Sequence, residues 1–238
     1  MIDIPFLLDV IGRLLLALPM TLALFILSVS LGGVIALGLT WMRVSGVFGL
    51  DKLARGYVLV FRGSPLLVQV FLIYYGLGQF PEIRHSAAWP VLREPFACAV
   101  ISLALCTAAY EAEIFRGALL AVGDRDTEAA RACGMSGFLM FRRIVFPIAL
   151  RNALPSYTTE MILMVKSTSL ASIITVTEMT GVAQKLITQT YRTMEVFLCA
   201  ALIYLLINFV LARLLGFVEH RLGRHMRRAP VLATVLHE

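Results

Sequence analysis

The sequence predicts an all-α, polytopic membrane protein with five transmembrane helices, and three observations carry that reading. The 238 residues are 59% apolar and only 15% charged, with a mean hydropathy of +0.85. The apolar residues fall in long runs, each able to span a bilayer or most of one. Lys and Arg gather in the segments between runs and favour one side. A net charge of +6 would suggest nucleic acid as the partner of a soluble chain. Here it reads as positive charge held in cytoplasmic loops, so the partner expected is the lipid bilayer and no nucleic acid. The four cysteines show neither CxxC nor ligand spacing, so neither a disulfide framework nor a metal site is expected.

No charged residue interrupts Leu14–Met42, so the first span is placed at about 14–42. Pro19 and the Gly32-Gly33 pair are places for a kink or for close packing. The run is roughly twice a signal-peptide core and has no clear cleavage site, so it reads as a retained helix. Arg43–Arg62 is expected to be a basic connector, followed by a second span at about 63–80. Mixed charges and Trp89 then mark a loop. The third span, about 96–112, is short, so its helix should continue past Glu111 and Glu113 into water.

A polar loop occupies about 120–147. The fourth span, about 148–174, differs from the others because Pro155, Glu160, Lys166, Thr168 and Ser169 break its apolar pattern. Beyond it, Met179, Val182, Ala183, Leu186, Ile187 and Met194 recur at helical spacing and suggest an amphipathic helix on a membrane surface. The fifth span lies at about 196–217, and a basic tail with Arg221, Arg224, Arg227 and Arg228 follows. With the N-terminus outside, inner segments hold fifteen Lys and Arg and outer segments five. That bias puts the N-terminus in the periplasm, and the 120–147 loop and C-terminus in the cytoplasm.

Glu128–Pro147 stands out within that loop. Its charges (Glu128, Arg131, Arg142, Arg143) cannot lie in a bilayer core. Local signals give two short helices: Asp126 or Thr127 caps the first, Glu128 lies in its first turn, and Gly134 ends it. Ser136 caps the second, and Pro147 punctuates the chain. Helices this short are marginal alone, while Ala129, Ala130, Ala132 and Gly134 offer a small face for close approach. The stretch is expected to dock on a partner.

The spacing Glu128-Ala129-Ala130, Gly134, Ile144, Pro147 resembles the EAA loop of ABC-importer permeases, with Phe146 where that family usually has Leu. Arg62-Gly63-Ser64-Pro65-Leu66-Leu67-Val68-Gln69, Ala112-Glu113-Ile114, Arg116-Gly117 and Lys166-Ser167-Thr168-Ser169 resemble its polar amino acid branch. Within that branch the chain looks most similar to subunits for basic amino acids or opines such as octopine and nopaline. One departure is Gly123-Asp124-Arg125-Asp126, where the family typically has Pro-x-Gly-Gln. The resemblance covers roughly Arg13–Arg221. It implies a single permease domain of the MetI-like ABC permease fold in a bacterial inner membrane.

It further implies a second permease subunit, identical or paralogous, a periplasmic solute-binding protein, and an ATPase dimer beneath. ATP and Mg would belong to that dimer, because the chain has no GxxxxGK[ST] phosphate loop and needs no cofactor of its own. Glu128, Ala129, Ala130, Gly134, Arg142 and Pro147 would form the contact with the ATPase. Glu128 is also explicable as a helix-start residue, and Arg142 as a topogenic charge.

For the substrate path the candidates are Glu160, Lys166, Thr168 and Ser169. A charge at mid-bilayer costs about 2.5–3.5 kcal/mol and usually faces a cavity or a partner. Glu160 would meet a cationic group of the substrate, and Lys166 a carboxylate; the alternative puts both near the ends of the span. Glu111, Glu113 and Arg116 read as a solvated helix end. The scattered histidines and the absence of a Ser/His/acid constellation argue against catalysis. An ion-driven secondary transporter is the competing class, but it predicts inverted repeats that the sequence lacks.

Overall fold

The computed structural model of the chain describes residues 3–223, and every regular element among them is helical. Arg224, Arg227 and Arg228 of the predicted basic tail, with His225 and His237, lie outside the described residues. Helix α1 runs over Ile4–Val44, 41 residues. The Asp3 side chain caps it by accepting from the Phe6 N–H at 3.2 Å, and Pro5 occupies the first turn, where its missing donor costs nothing. At 1.5 Å per residue it is about twice as long as a ~30 Å hydrocarbon core is thick. Pro19 lies inside the helix without ending it.

Helix α2 (Phe48–Gly63) shows that most of the Arg43–Arg62 connector is helical. It is tied down by Asp51, which pairs with Arg43 at 3.0 Å and Arg55 at 2.8 Å, and by the Tyr57 hydroxyl, which donates to the Leu105 carbonyl at 2.7 Å. Helix α3 (Leu66–Phe71) follows and runs on as a π-turn, Leu72–Gly76, and a 3-10 turn, Leu77–Gln79. The two stretches meet at 103°. Pro65 explains the bend, because a residue before proline is driven out of the helical region, and Ser64 is extended at φ −106°, ψ 145°. The Gln69 amide braces it, donating to the Phe61 carbonyl at 2.9 Å and the Ser64 hydroxyl at 2.9 Å. Short helices α4 (Pro81–Arg84) and α5 (Trp89–Leu92) lead into α6 (Pro95–Leu120).

Helices α1 and α6 form the centre of the bundle and run parallel. Ser28 donates to the Val100 carbonyl at 3.4 Å, Thr40 to the Ala112 carbonyl at 3.3 Å, and Arg43 pairs with Glu113, so residue numbers rise together. Their approach depends on small side chains: a Cβ on Gly32 would lie 3.0 Å from the Ala104 carbonyl oxygen, and Ala36, Ala108 and Ala112 are buried nearby. Helices α7 (Asp124–Ala132) and α8 (Gly137–Met140) come next. A π-turn, Phe141–Val145, joins α8 to α9 (Phe146–Ser167), which ends in a 3-10 segment, Thr168–Ile174.

Helix α10 (Met179–Thr190) and helix α11 (Thr193–Gly223) complete the fold. The apolar stripe of α10 does not lie on a membrane surface. Met179, Ala183 and Leu186 are buried in one cluster with Val10, Leu14 and Ala17 of α1 and Val196, Cys199 and Ala200 of α11. Glu178, fully buried, locks these three helices. It accepts from the Gly181 N–H at 2.8 Å and from the Tyr204 hydroxyl at 2.9 Å, while the Met179 N–H donates to the Thr21 hydroxyl at 3.1 Å. Three helices, Ile4–Val44, Pro95–Leu120 and Thr193–Leu222, are long and apolar enough to cross a membrane. Two bent pairs, Phe48–Gly63 with Leu66–Gln79 and Gly137–Ile174 with Met179–Thr190, pass the same test when each is taken together.

Candidate functional site

The EAA stretch folds as one short helix and the beginning of a long one. Helix α7 starts earlier than its local signals suggest. Its N-cap position is Gly123, Asp124 and Asp126 occupy the first turn, and Glu128 sits beyond it. Thr127 does not cap; its hydroxyl donates to the Asp124 carbonyl at 2.9 Å. The departure at Gly123-Asp124-Arg125-Asp126 is therefore where the helix begins. Its end is a Schellman turn. The Gly134 N–H donates to the Arg131 carbonyl and the Met135 N–H to the Ala130 carbonyl, both at 2.9 Å, with Gly134 at φ +77°.

Ser136 takes the N-cap position of α8 without a side-chain cap bond. Pro147 does not break the chain. It lacks the N–H that would complete the preceding turn, and the helix widens there into the π-turn and continues as α9. Ala130 is buried, Pro147 is half-buried, and Glu128, Ala129, Gly134 and Arg142 are exposed. Beside them Phe138, Leu139, Phe141 and Phe146 are exposed too, Phe138 by 75%. Phe141 and Phe146 also line an apolar cavity of about 510 Å3 with Leu37 and Trp41 of α1.

The second group of residues lies where α6 and α9 pack antiparallel. The Thr107 hydroxyl donates to the Met164 sulfur at 3.2 Å, and the rings of Phe115 and Tyr157 stack at 6.1 Å. Glu111 and Glu160 lie between those two contacts, one from each helix. Glu160 is 9% exposed and Glu111 fully buried, so Glu111 is not part of a solvated helix end. Glu111 lies against Gly33, whose added Cβ would stand 3.4 Å from its Oε2, and it faces Tyr157, yet neither carboxylate oxygen completes a hydrogen bond. A buried carboxylate without a donor costs several kcal/mol or takes up a proton. Its neighbour Glu113 is fully paired, with Arg43 and with Arg116 at 2.7 Å.

Arg62 closes α2 next to the bend, with its guanidinium 4.9 Å from the centre of the Tyr110 ring. It lies within charge range of Glu160. Arg62 and Tyr110 line two adjoining cavities of about 330 and 450 Å3. The remaining path candidates are not gathered here. Lys166 is exposed, and Thr168 is fully buried with its hydroxyl donated to the Val165 carbonyl at 2.7 Å. Ser169 donates to the Lys166 carbonyl at 2.7 Å. Glu111 and Arg62 are the two residues that sequence reasoning missed. The signals were present: Glu111 adjoins the Ala104, Ala108, Ala112 face, and Arg62 sits three residues before a proline.

Comparison with known proteins supplies a family for this geometry. Residues 28–224 match the family described as binding-protein-dependent transport system inner membrane component. The octopine transport system permease protein OccM of Rhizobium radiobacter is 56% identical over 94% of this chain and 92% of its own. The nopaline transport system permease protein NocM of Agrobacterium fabrum is 49% identical over 94% of both. Among solved structures, an amino acid ABC transporter with histidines superposes with a TM-score of 0.82 at 32% identity, covering 93% of this chain and 99% of that one. The methionine transporter MetNI, at a TM-score of 0.62 and 17% identity over 94% of this chain and 99% of that one, shares the fold. These relatives are named as transport components, not enzymes. The chain belongs to the family of inner membrane components of binding-protein-dependent transport systems, and it is a permease subunit of an ABC importer.

Proposed function

We propose that this subunit carries cationic amino acids or opines, of the octopine and nopaline kind, into the cytoplasm of a bacterium. The observation that carries the reading is the 56% identity to an octopine permease over nearly the whole of both chains. The subunit forms a single permease domain with five spans, the two bent pairs counting as one span each. Its N-terminus is periplasmic and its C-terminus cytoplasmic. It pairs with a second permease subunit, identical or paralogous, and receives substrate from a periplasmic solute-binding protein. An ATPase dimer beneath binds ATP and Mg.

Glu128, Ala129, Ala130 and Gly134 on α7, with Arg142 and Pro147 at the π-turn, transmit closure of the ATPases. The exposure of Glu128, Ala129 and Gly134 on α7 and of Phe138 beside it supports this. Glu160 lines the path and pairs with the cationic group of the substrate. Lys166, Thr168 and Ser169 follow it along the same span, with Lys166 exposed to meet a carboxylate. The test is ATP-driven uptake by the reconstituted transporter with its binding protein, offered octopine, nopaline, arginine and an anionic amino acid. Uptake of octopine, nopaline or arginine, each of which carries a guanidinium, is expected. Preference for the anionic one would overturn the substrate class.

A further inference from the structure

The apolar cavity of about 510 Å3 has walls of a different kind from the two that Arg62 borders. Leu37, Trp41 and Val44 of α1, Phe115 of α6, and Phe141 and Phe146 line it, with no charged residue in the lining. Thr40 supplies a hydroxyl, but its proton is already engaged by the Ala36 carbonyl at 2.7 Å and the Ala112 carbonyl at 3.3 Å. A polar amino acid would lose its water here and gain no charged partner in return. The cavity suits an apolar guest.

Its surroundings narrow the choice of guest. Leu37, Trp41 and Val44 recur at helical spacing, and each is exposed. They lie on a helix long and apolar enough to cross a membrane, where such a face is suited to hydrocarbon. Val44 ends α1 and Leu119 lies one residue from the end of α6, so the cavity sits toward the ends of both helices. Trp41 is an amphipathic ring of the sort that gathers at the level of lipid head groups. Arg143, two residues beyond Phe141 in the π-turn, is exposed and makes no ion pair among the described residues. Arg43 and Arg116 have both found carboxylates. A free cation beside an apolar cavity complements a molecule with an anionic head and a hydrocarbon tail.

We infer that the cavity holds an acyl chain of an anionic phospholipid, with the phosphate of its head group outside the cavity on Arg143. The chain fills the angle between α1, α6 and the start of α9. The inference needs only the family's place in a membrane and is independent of what the subunit carries.

The test is quenching of Trp41 fluorescence by phospholipids brominated along their acyl chains, in nanodiscs holding the complete transporter. Subtracting the signal of a Trp41→Phe complex removes the light of Trp89 and of the other subunits. Brominated phosphatidylglycerol is expected to half-quench Trp41 at an about fivefold lower fraction than brominated phosphatidylcholine, the scale of one arginine at an anionic lipid surface. Arg143→Gln abolishes that preference, and Arg143→Lys, which keeps the charge, preserves it. Ala149→Leu adds bulk to the cavity wall without touching the charge, and brings phosphatidylglycerol toward the phosphatidylcholine level. Equal quenching by both lipids in wild type would mark bulk lipid against an exposed ring and overturn the inference. Quenching by neither would mean that a second permease subunit or another stretch of protein covers the cavity, and would overturn it too. So would a preference that survives Arg143→Gln, or one that Ala149→Leu leaves intact.

Discussion

Two regions of the molecule hold groups unsuited to their surroundings, in opposite senses. Between α6 and α9, Glu111 and Glu160 are buried carboxylates among apolar helices. Around α7 and α8, Phe138, Leu139, Phe141 and Phe146 are apolar side chains left bare beside a charged helix. In the first region Glu111 completes no hydrogen bond, and in the second Phe138 is 75% exposed. Glu178 shows that burial of a carboxylate is not itself the signal. It is as buried as Glu111, but it accepts from Gly181 and Tyr204 and serves as a bolt between helices. Glu111 is buried without such partners.

The largest effect should come from breaking that contrast. Glu178→Ala leaves the Tyr204 hydroxyl and the Gly181 N–H without their buried acceptor, a loss of about 2–4 kcal/mol. Glu111→Gln replaces a buried carboxyl whose oxygens complete no hydrogen bond with a neutral group of the same shape, and should leave the melting temperature unchanged or raised. Comparable destabilisation of both variants in thermal unfolding would erase the distinction between bolt and site.

Glu160→Gln comes next. Uptake of a cationic substrate should fall roughly tenfold through loss of a charge-assisted contact, with the folded complex recovered in normal yield. Normal uptake at unchanged affinity would remove Glu160 from the path. The smallest effect belongs to Asp3, at the far end of α1, which is neither site nor core. Arg192, donating to it at 2.9 Å, holds its carboxyl below the ordinary 3.8, and the Phe6 N–H adds to this. A depressed value means stabilisation that is present above the ordinary value and lost as pH falls through the depressed one. Asp3→Asn should therefore melt slightly below wild type at neutral pH, with the gap closing in acid. A gap that persists once pH has fallen through the depressed value would assign it to something other than the charge of Asp3.

How much could be read in advance followed the range of the interactions. The end of α7 was legible because a Gly at φ +77° is a local requirement, and the bend at Ser64-Pro65 likewise follows from one ring. The stripe on α10 announced a covered face but not its cover, since lipid and the α1/α11 surface demand the same residues. Counting charges put Arg62 in a basic connector and gave no sign that its guanidinium sits against Tyr110, 48 residues away in sequence. Glu111 reads as solvated in the sequence because what buries it, Gly33 on α1 and Tyr157 on α9, is distant along the chain.

In the proposed function, α7 passes ATPase closure to the membrane helices without taking part in substrate recognition. Gly134→Val tests it most directly, because a β-branched residue in the left-handed region costs about 1–2 kcal/mol or more and deforms the end of α7 at a site far in the chain from Glu160. Arginine binding and ATP-driven uptake would be measured side by side in the complete transporter. The account predicts binding like wild type with uptake reduced severalfold or more. Uptake that stays at the wild-type level, or binding that falls in step with it, would contradict it.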